Sequence, residues 1–175
     1  MDNIATLRLN AERKKWRKVK KEMPGFSAKP TKTKDGLDLF RWEFLVPGKK
    51  NTSWEGGVYK IIATFPKEYP QKAPKLTTSP PLFHPNVYPS GNICLSLIDD
   101  QKDWKPSVSL RQLLISLQVF LSSPNGNDPA HPEAIRLFRK DLALYNERIK
   151  KQAIERTPPI VPVDTLQLND VDIMS

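Results

Sequence analysis

The residues 84–97 read HPNVYPSGNICLSL and contain the chain's single cysteine, Cys94, together with one of its two histidines and no charged side chain. A lone cysteine is often an inert small hydrophobe. Here Ser90-Gly91-Asn92 places a turn immediately before it, which leaves the thiol within reach of solvent. Cysteine is in general already a few per cent thiolate near pH 7 and is strongly nucleophilic. The available bases are His84 and His131. Pro85 stiffens the backbone beside His84, so His84 is expected to orient the loop by hydrogen bonds rather than to pair with the thiol. A cysteine without a committed base suits exchange with an acyl thioester, whose carbonyl is already reactive, better than peptide hydrolysis. Asn86 offers an amide that can donate to a developing oxyanion, where loss of a donor costs about 3–4 kcal/mol in barrier height. It can equally bond the backbone of its own turn.

The elements that must position these groups are legible in outline. Residues 3–21 read as a helix with Ile4, Leu7 and Ala11 at helical spacing, ended by Pro24-Gly25. Strand character follows in Phe26–Thr31, Leu37–Val46 and Val58–Phe65, with Lys75–Thr78 as a short fourth strand; the turn signals Lys34-Asp35-Gly36 and Pro47-Gly48 imply an antiparallel meander. Prolines at 66, 70, 74, 80, 81, 85 and 89 forbid regular structure, yet Phe65, Tyr69, Leu82, Phe83 and Val87 among them need burial. This predicts a rigid, ordered loop. A helix resumes after a Ser107 or Ser109 cap, with Leu110, Leu113, Leu114, Leu117 and Leu121 as its apolar stripe, and stops at Pro124-Asn125-Gly126. A last helical region spans Pro132–Arg156, with Ala134, Leu137, Phe138, Leu142, Tyr145 and Ile149 near one face. The order is that of an α+β domain.

The chain has 175 residues, 38% of them hydrophobic and 27% charged, which suits one soluble domain. No apolar run is long enough to cross a bilayer, and the first residues lack a signal-peptide core. With one cysteine, neither an internal disulfide nor a thiolate zinc site is expected, and a reducing compartment, nucleus and cytoplasm, is. The net charge of +9 favours acidic partners. It is concentrated in Arg8, Arg13, Lys14, Lys15, Arg17, Lys18, Lys20 and Lys21, whereas residues 157–175 hold three aspartates and no cation. Apart from Trp16 the basic segment has no interleaved aromatics, which disfavours nucleic acid.

His84-Pro85-Asn86 eight residues before Cys94, Tyr69-Pro70 ahead of them and Trp104-Lys105-Pro106 behind resemble the ubiquitin-conjugating (UBC) enzyme superfamily over about residues 3–157. Glu12-Arg13-Lys14, Val46-Pro47-Gly48-Lys49-Lys50, Trp54-Glu55-Gly56-Gly57 and the inserted Asp99–Trp104 loop resemble its SUMO-conjugating branch. The resemblance implies the UBC fold, with an N-terminal helix, a four-stranded meander, a proline-rich active-site loop and C-terminal helices. It implies that Cys94 takes SUMO from the SUMO-activating enzyme as a thioester and that a substrate lysine then attacks. Asn86 would steady the oxyanion or the site loop. Asp128 would orient and desolvate the lysine, which free in water is neutral in only about 1 molecule in 2,500 at pH 7. Lys75, Tyr88 and Ser90 match positions that contact an apolar-Lys-x-acid substrate motif, Tyr88 also flanking the reacting lysine. Arg13, Lys14, Arg17 and Lys18 match the surface for the activating enzyme, and Arg13 and Arg17 that for a second SUMO. The resemblance further implies that ligases assist, that ATP is used upstream by the activating enzyme, that no cofactor or metal is bound, that no membrane is involved and that the enzyme acts as a monomer. The alternatives are a ubiquitin-conjugating enzyme for another modifier and a catalytically dead variant, the latter opposed by the presence of Cys94.

The chain departs from that pattern in places. Lys20-Lys21-Glu22-Met23 is about two residues longer than usual, Asn92 and Ile135 replace a usual threonine and tyrosine, and residues 158–175 form an added acidic-apolar tail, read as flexible. Val19-Lys20-Lys21-Glu22 itself fits the apolar-Lys-x-acid pattern, so Lys20 is a candidate for self-modification. Ile160–Asp164 has the pattern of a SUMO-binding strand.

Overall fold

The computed structural model describes residues 3–94 and 103–158. Helix α1 (Ile4–Val19) is capped by Asn3, whose side chain accepts from the Thr6 amide, and runs on into a 3-10 turn at Lys20–Glu22. Four strands follow, β1 (Ser27–Thr33), β2 (Gly36–Pro47), β3 (Val58–Thr64) and β4 (Lys75–Thr78), in one antiparallel sheet of order β1-β2-β3-β4. The expected meander is therefore present. The β1–β2 register shifts between Pro30 and Thr31, where proline has no N–H for the ladder. Helices α2 (Leu110–Ser122), α3 (Pro132–Lys140) and α4 (Leu142–Glu155) complete the fold.

The sheet buries alternate side chains, Trp42, Phe44 and Val46 on β2 and Tyr59, Ile61 and Ala63 on β3, as a half-buried pleat requires. Against them pack Leu9 and Trp16 of α1 and the predicted stripe of α2, all five leucines of which are buried. Each such side chain contributes about 1.5–3 kcal/mol on burial. Of the two candidate caps for α2, the structure uses Ser109. Its hydroxyl accepts from the Gln112 amide while the Gln112 side chain accepts from the Ser109 amide, a reciprocal capping box.

The structure corrects two readings. The buried face of α1 is Ala5, Leu9, Glu12 and Trp16, whereas Ile4 and Leu7 are 74% and 55% exposed. A charged residue belongs to the inner stripe because Arg8 and the Leu110 amide satisfy it, and that charge disguised the period. The last helical region is two helices. Asp141 leaves helical geometry at φ −149°, donates its amide to the Leu137 carbonyl to close α3, and caps α4 by accepting from the Leu144 amide. No glycine or proline announces that break. Leu142, now in the first turn of α4, is exposed.

The proline-rich stretch is ordered without regular structure, apart from β4. Phe65 packs edge-on to Trp42 and Tyr69, and the Trp104 indole donates to the Pro70 carbonyl at 2.8 Å. The Tyr69-Pro70 and Ser79-Pro80 bonds are cis. Leu95, Leu97 and the acidic loop Asp99–Lys102 lie outside the described residues, as does the Ile160–Asp164 segment. Val19–Glu22 sits at the end of α1 and its 3-10 turn, with the Glu22 carboxylate 3.2 Å from Arg111.

Candidate active site around Cys94

The chain from 84 to 94 is a hairpin-like loop laid against the edge of β4. Val87 bridges Ile93, and Thr77 of β4 bridges Asn92. The Ile93 amide donates to the Leu76 carbonyl at 3.0 Å, the Thr78 amide to Gly91 at 2.8 Å, and the Tyr88 amide to Asn92 at 2.9 Å. At the tip, Gly91 has φ +93°, and a Cβ there would lie 2.6 Å from the Thr78 carbonyl oxygen. Glycine is required on both counts. The loop ends with the Cys94 amide donating to the Asn86 carbonyl at 2.8 Å, and Cys94 itself is a free, half-buried cysteine.

His84 is wholly buried, stacked on Phe120 with ring centroids 4.5 Å apart and packed against Trp54. Its Nδ1 accepts from the Asn86 amide at 2.9 Å. That bond assigns the ring hydrogen to Nε2, which lies 3.1 and 3.2 Å from the Phe120 and Leu121 carbonyls at the end of α2. Burial pushes its pKa down to about 4, against the opposing effect of those carbonyls. A neutral ring with its one lone pair already bonded has no acceptor to offer a thiol. His131 is the N-cap of α3, its Nδ1 accepting from the Ala134 amide and its ring edge-on to Phe83; burial also lowers its pKa. Both histidines are thus structural, and the cysteine stands without an imidazole base.

Asn86 is buried, and all of its side chain is engaged. Its Nδ2 donates to the carbonyls of Asn125 at 2.7 Å and Asp128 at 2.8 Å, and its Oδ1 accepts from the Asn125 amide at 2.8 Å. The preceding Pro85 carbonyl accepts from the amides of Ala130 and His131. Two consecutive residues therefore hold the whole segment 125–131. Within it Asn125 donates to the Asp128 carboxylate at 3.2 Å and accepts from the Asn127 amide at 2.9 Å. Asp128 itself is exposed and caps no helix; His131 does that.

Hydrogen bonds join Cys94, Asn86 and Asp128 into one continuous framework, with Tyr88 and Ser90 on the turn between them and Lys75 at the start of β4, one residue from the Leu76–Ile93 bond. Tyr88 is 46% exposed, and Lys75 and Ser90 are exposed. This arrangement places a half-buried thiol and an exposed aromatic ring on the 84–94 loop, an exposed cation on β4 and an exposed carboxylate on the 125–131 segment. None of these contacts involves α1. There the basic residues border two grooves. Arg13 and Arg17 line a groove of about 860 Å³ between α1 and β1, with Lys20, Lys29 and Lys32. Lys18 lines a separate groove of about 230 Å³ beside Lys15 and Arg111 at the start of α2, and Lys14 is exposed.

Sequence reasoning did not single out Gln152 or Asn125. The Gln152 amide clamps Phe83 from α4, Oε1 accepting from the Phe83 amide at 2.8 Å and Nε2 donating to its carbonyl at 3.3 Å. Its signal was a polar residue between Ile149 and Ala153 on a buried stripe. Asn125 carried no comparable signal, because a turn asparagine is common.

A family model described as Ubiquitin-conjugating enzyme matches residues 8–153. The SUMO-conjugating enzyme UBC9 of Caenorhabditis elegans is 50% identical over 169 residues, covering 95% of this chain and all of that protein. The Sumo-conjugating enzyme ubc9 of Dictyostelium discoideum is 43% identical over 161 residues, 91% of this chain and 99% of its own length. A single cysteine without a base, on a loop pinned through His84-Pro85-Asn86 to an antiparallel meander, agrees with that match, and the chain belongs to the ubiquitin-conjugating enzyme family.

Proposed function

We propose that this chain conjugates SUMO, with Cys94 as the carrier. The Cys94 thiolate attacks the thioester carbonyl carbon at the C-terminal glycine of SUMO on the activating enzyme. The new C–S bond forms as the activating enzyme's thiolate leaves. The amine of a substrate lysine then attacks the same carbon, the C–N bond forms, Cys94 leaves as thiolate and the amine's proton passes to water. The observation that carries this reading is the state of the two histidines. Both are occupied by backbone groups, so the site has no imidazole to activate water for hydrolysis, while thioester exchange needs none. The resemblance of the chain to two proteins named SUMO-conjugating enzymes supports the choice of modifier.

In this reading Asp128 receives the lysine, and Tyr88, Lys75 and Ser90 contact residues on either side of it, the Lys75 cation suiting the acid of an apolar-Lys-x-acid motif. Asn86 acts by holding the 125–128 loop, because both amide hydrogens are committed to loop carbonyls. The groove of Arg13 and Arg17 takes a second SUMO, and Lys14 and Lys18 meet the activating enzyme.

The test is a gel run without reductant after incubation with ATP, SUMO-activating enzyme and SUMO. A reductant-sensitive adduct is expected. It vanishes in Cys94→Ala and becomes reductant-resistant in Cys94→Ser. Asn86→Ala is expected to charge normally but to discharge onto lysine at least about tenfold more slowly, in keeping with a displaced acceptor loop. Absence of the adduct, or its appearance with ubiquitin and the ubiquitin-activating enzyme instead, overturns the proposal.

A further inference from the structure

The loop that carries Asp128 is held from two sides. Asn86 captures its first and last carbonyls, those of Asn125 and Asp128. The Gly126 carbonyl between them accepts from Nη2 of Arg139, thirteen residues onward in the last turn of α3. A Cβ built on Gly126 would meet nothing within 4 Å, so the space on that side of the loop is open. Helix α3 is itself registered to the site, because the Ala130 and His131 amides at its start both donate to the Pro85 carbonyl. Arg139 therefore projects from an element fixed to the same two residues that hold the loop from beneath. Its guanidinium closes the one stretch of the loop that Asn86 does not reach.

We propose that Arg139 is a positioning residue for lysine attack. It sets the height of the 125–128 loop, and through it the place of the Asp128 carboxylate, without touching the reacting atoms. The inference rests on the reading of Cys94 as thioester carrier. A bond from a charged donor to the Gly126 carbonyl restricts the conformations from which Asp128 can meet an incoming amine. Its loss should leave transthiolation intact and weaken acceptance of lysine. The bland role for a cation in the last turn of α3 is to complement the helix dipole. That role would affect stability but would not couple to Asp128.

The experiment uses the full chain, with Arg139→Met, which keeps the stem and loses the donors, Arg139→Lys, which restores one, Asp128→Ala, and the Arg139→Met/Asp128→Ala double variant. Each is charged on Cys94 with SUMO and then discharged onto free lysine over a concentration series. Arg139→Met is expected to charge within about twofold of the parent and to lose about three- to tenfold in discharge at low lysine. Arg139→Lys should recover most of that loss. In the Asp128→Ala background the Met substitution should have no further effect, as two residues acting through one loop are non-additive. Parent-like discharge by Arg139→Met, or losses that multiply in the double variant, overturns the proposal. If the parent itself never charges, the thioester reading fails instead, and the two failures are told apart by the first step.

Discussion

At the scale of single residues, His84 shows how a group that looks catalytic in a sequence becomes a fastener in the fold. Its ring bonds the backbone at both nitrogens and sits among Trp54 and Phe120, so the charged form is excluded. The pH dependence follows. With a folded pKa near 4 and an unfolded value near 6.5, the unfolded chain binds the proton that the native chain refuses. The stabilisation is therefore complete above about pH 6.5 and is lost as pH falls toward 4. Thermal melts between pH 7.5 and 4.5 should show stability falling through this window. In His84→Asn the slope between pH 6.5 and 5 should flatten by close to one proton's worth; an unchanged slope would show that His84 is not the group responsible. Pro85, which stiffens the chain, and Asn86, which ties down the 125–128 loop, then continue the same fastening, and their types and order were readable as a triplet. Their partners, Asn125, Ala130 and His131, were not, because a backbone carbonyl leaves no mark on the sequence.

At the scale of elements, α1 is joined to α2 by charge as much as by packing. Glu12 is buried, its Oε1 2.9 Å from Arg8 Nε and its Oε2 accepting from the Leu110 amide, the first of α2, at 3.0 Å. Arg8 in turn donates to the carbonyls of Pro106 and Val108. One carboxylate thus satisfies a helix N-terminus and neutralises the cation that pins the preceding loop. Glu12→Ala is expected to destabilise the protein by about 1.5–3 kcal/mol in denaturant melts, since it removes the charged acceptor of the buried Leu110 amide. Arg8→Ala should cost less, because Arg8 is partly exposed. Equal and small losses from both would mean that the pair is ornamental. The same pair places a glutamate on the inner face of α1, where a period of apolar residues alone has no place for it, while Ile4 and Leu7 are exposed.

At the scale of the whole molecule, the +9 charge is distributed so that Arg13 and Arg17 face a groove toward β1 while Lys18 faces the start of α2. Charges on such open surfaces act mainly through association rates and are screened within about 10 Å at 0.1 M salt. Raising ionic strength from 50 to 300 mM should therefore slow charging by the activating enzyme several-fold at limiting concentrations while leaving discharge of the preformed thioester onto free lysine nearly unchanged. Discharge that falls in parallel would place the electrostatic effect at Cys94 rather than on α1. On the proposed assignment, Arg17→Glu should weaken non-covalent SUMO binding in a titration and Lys18→Glu should slow charging by the activating enzyme; equal effects of both variants in both assays would make the two grooves one surface.

Read alone, the sequence determined the order of elements, the α2 stripe and its serine caps, the meander with its turns, and the cysteine loop. These depend on local period, turn chemistry and residue type, which act within a few positions along the chain. Only the tertiary structure decided which face of α1 is inside, where the last helix breaks, that both histidines are occupied by backbone groups, and that Asn86 and Arg139 hold one loop. The face of α1 and the grip on the loop depend on hydrogen bonds between groups 13 to about 100 residues apart, and the Asp141 break and the His131 cap on bonds to backbone atoms that every residue carries alike.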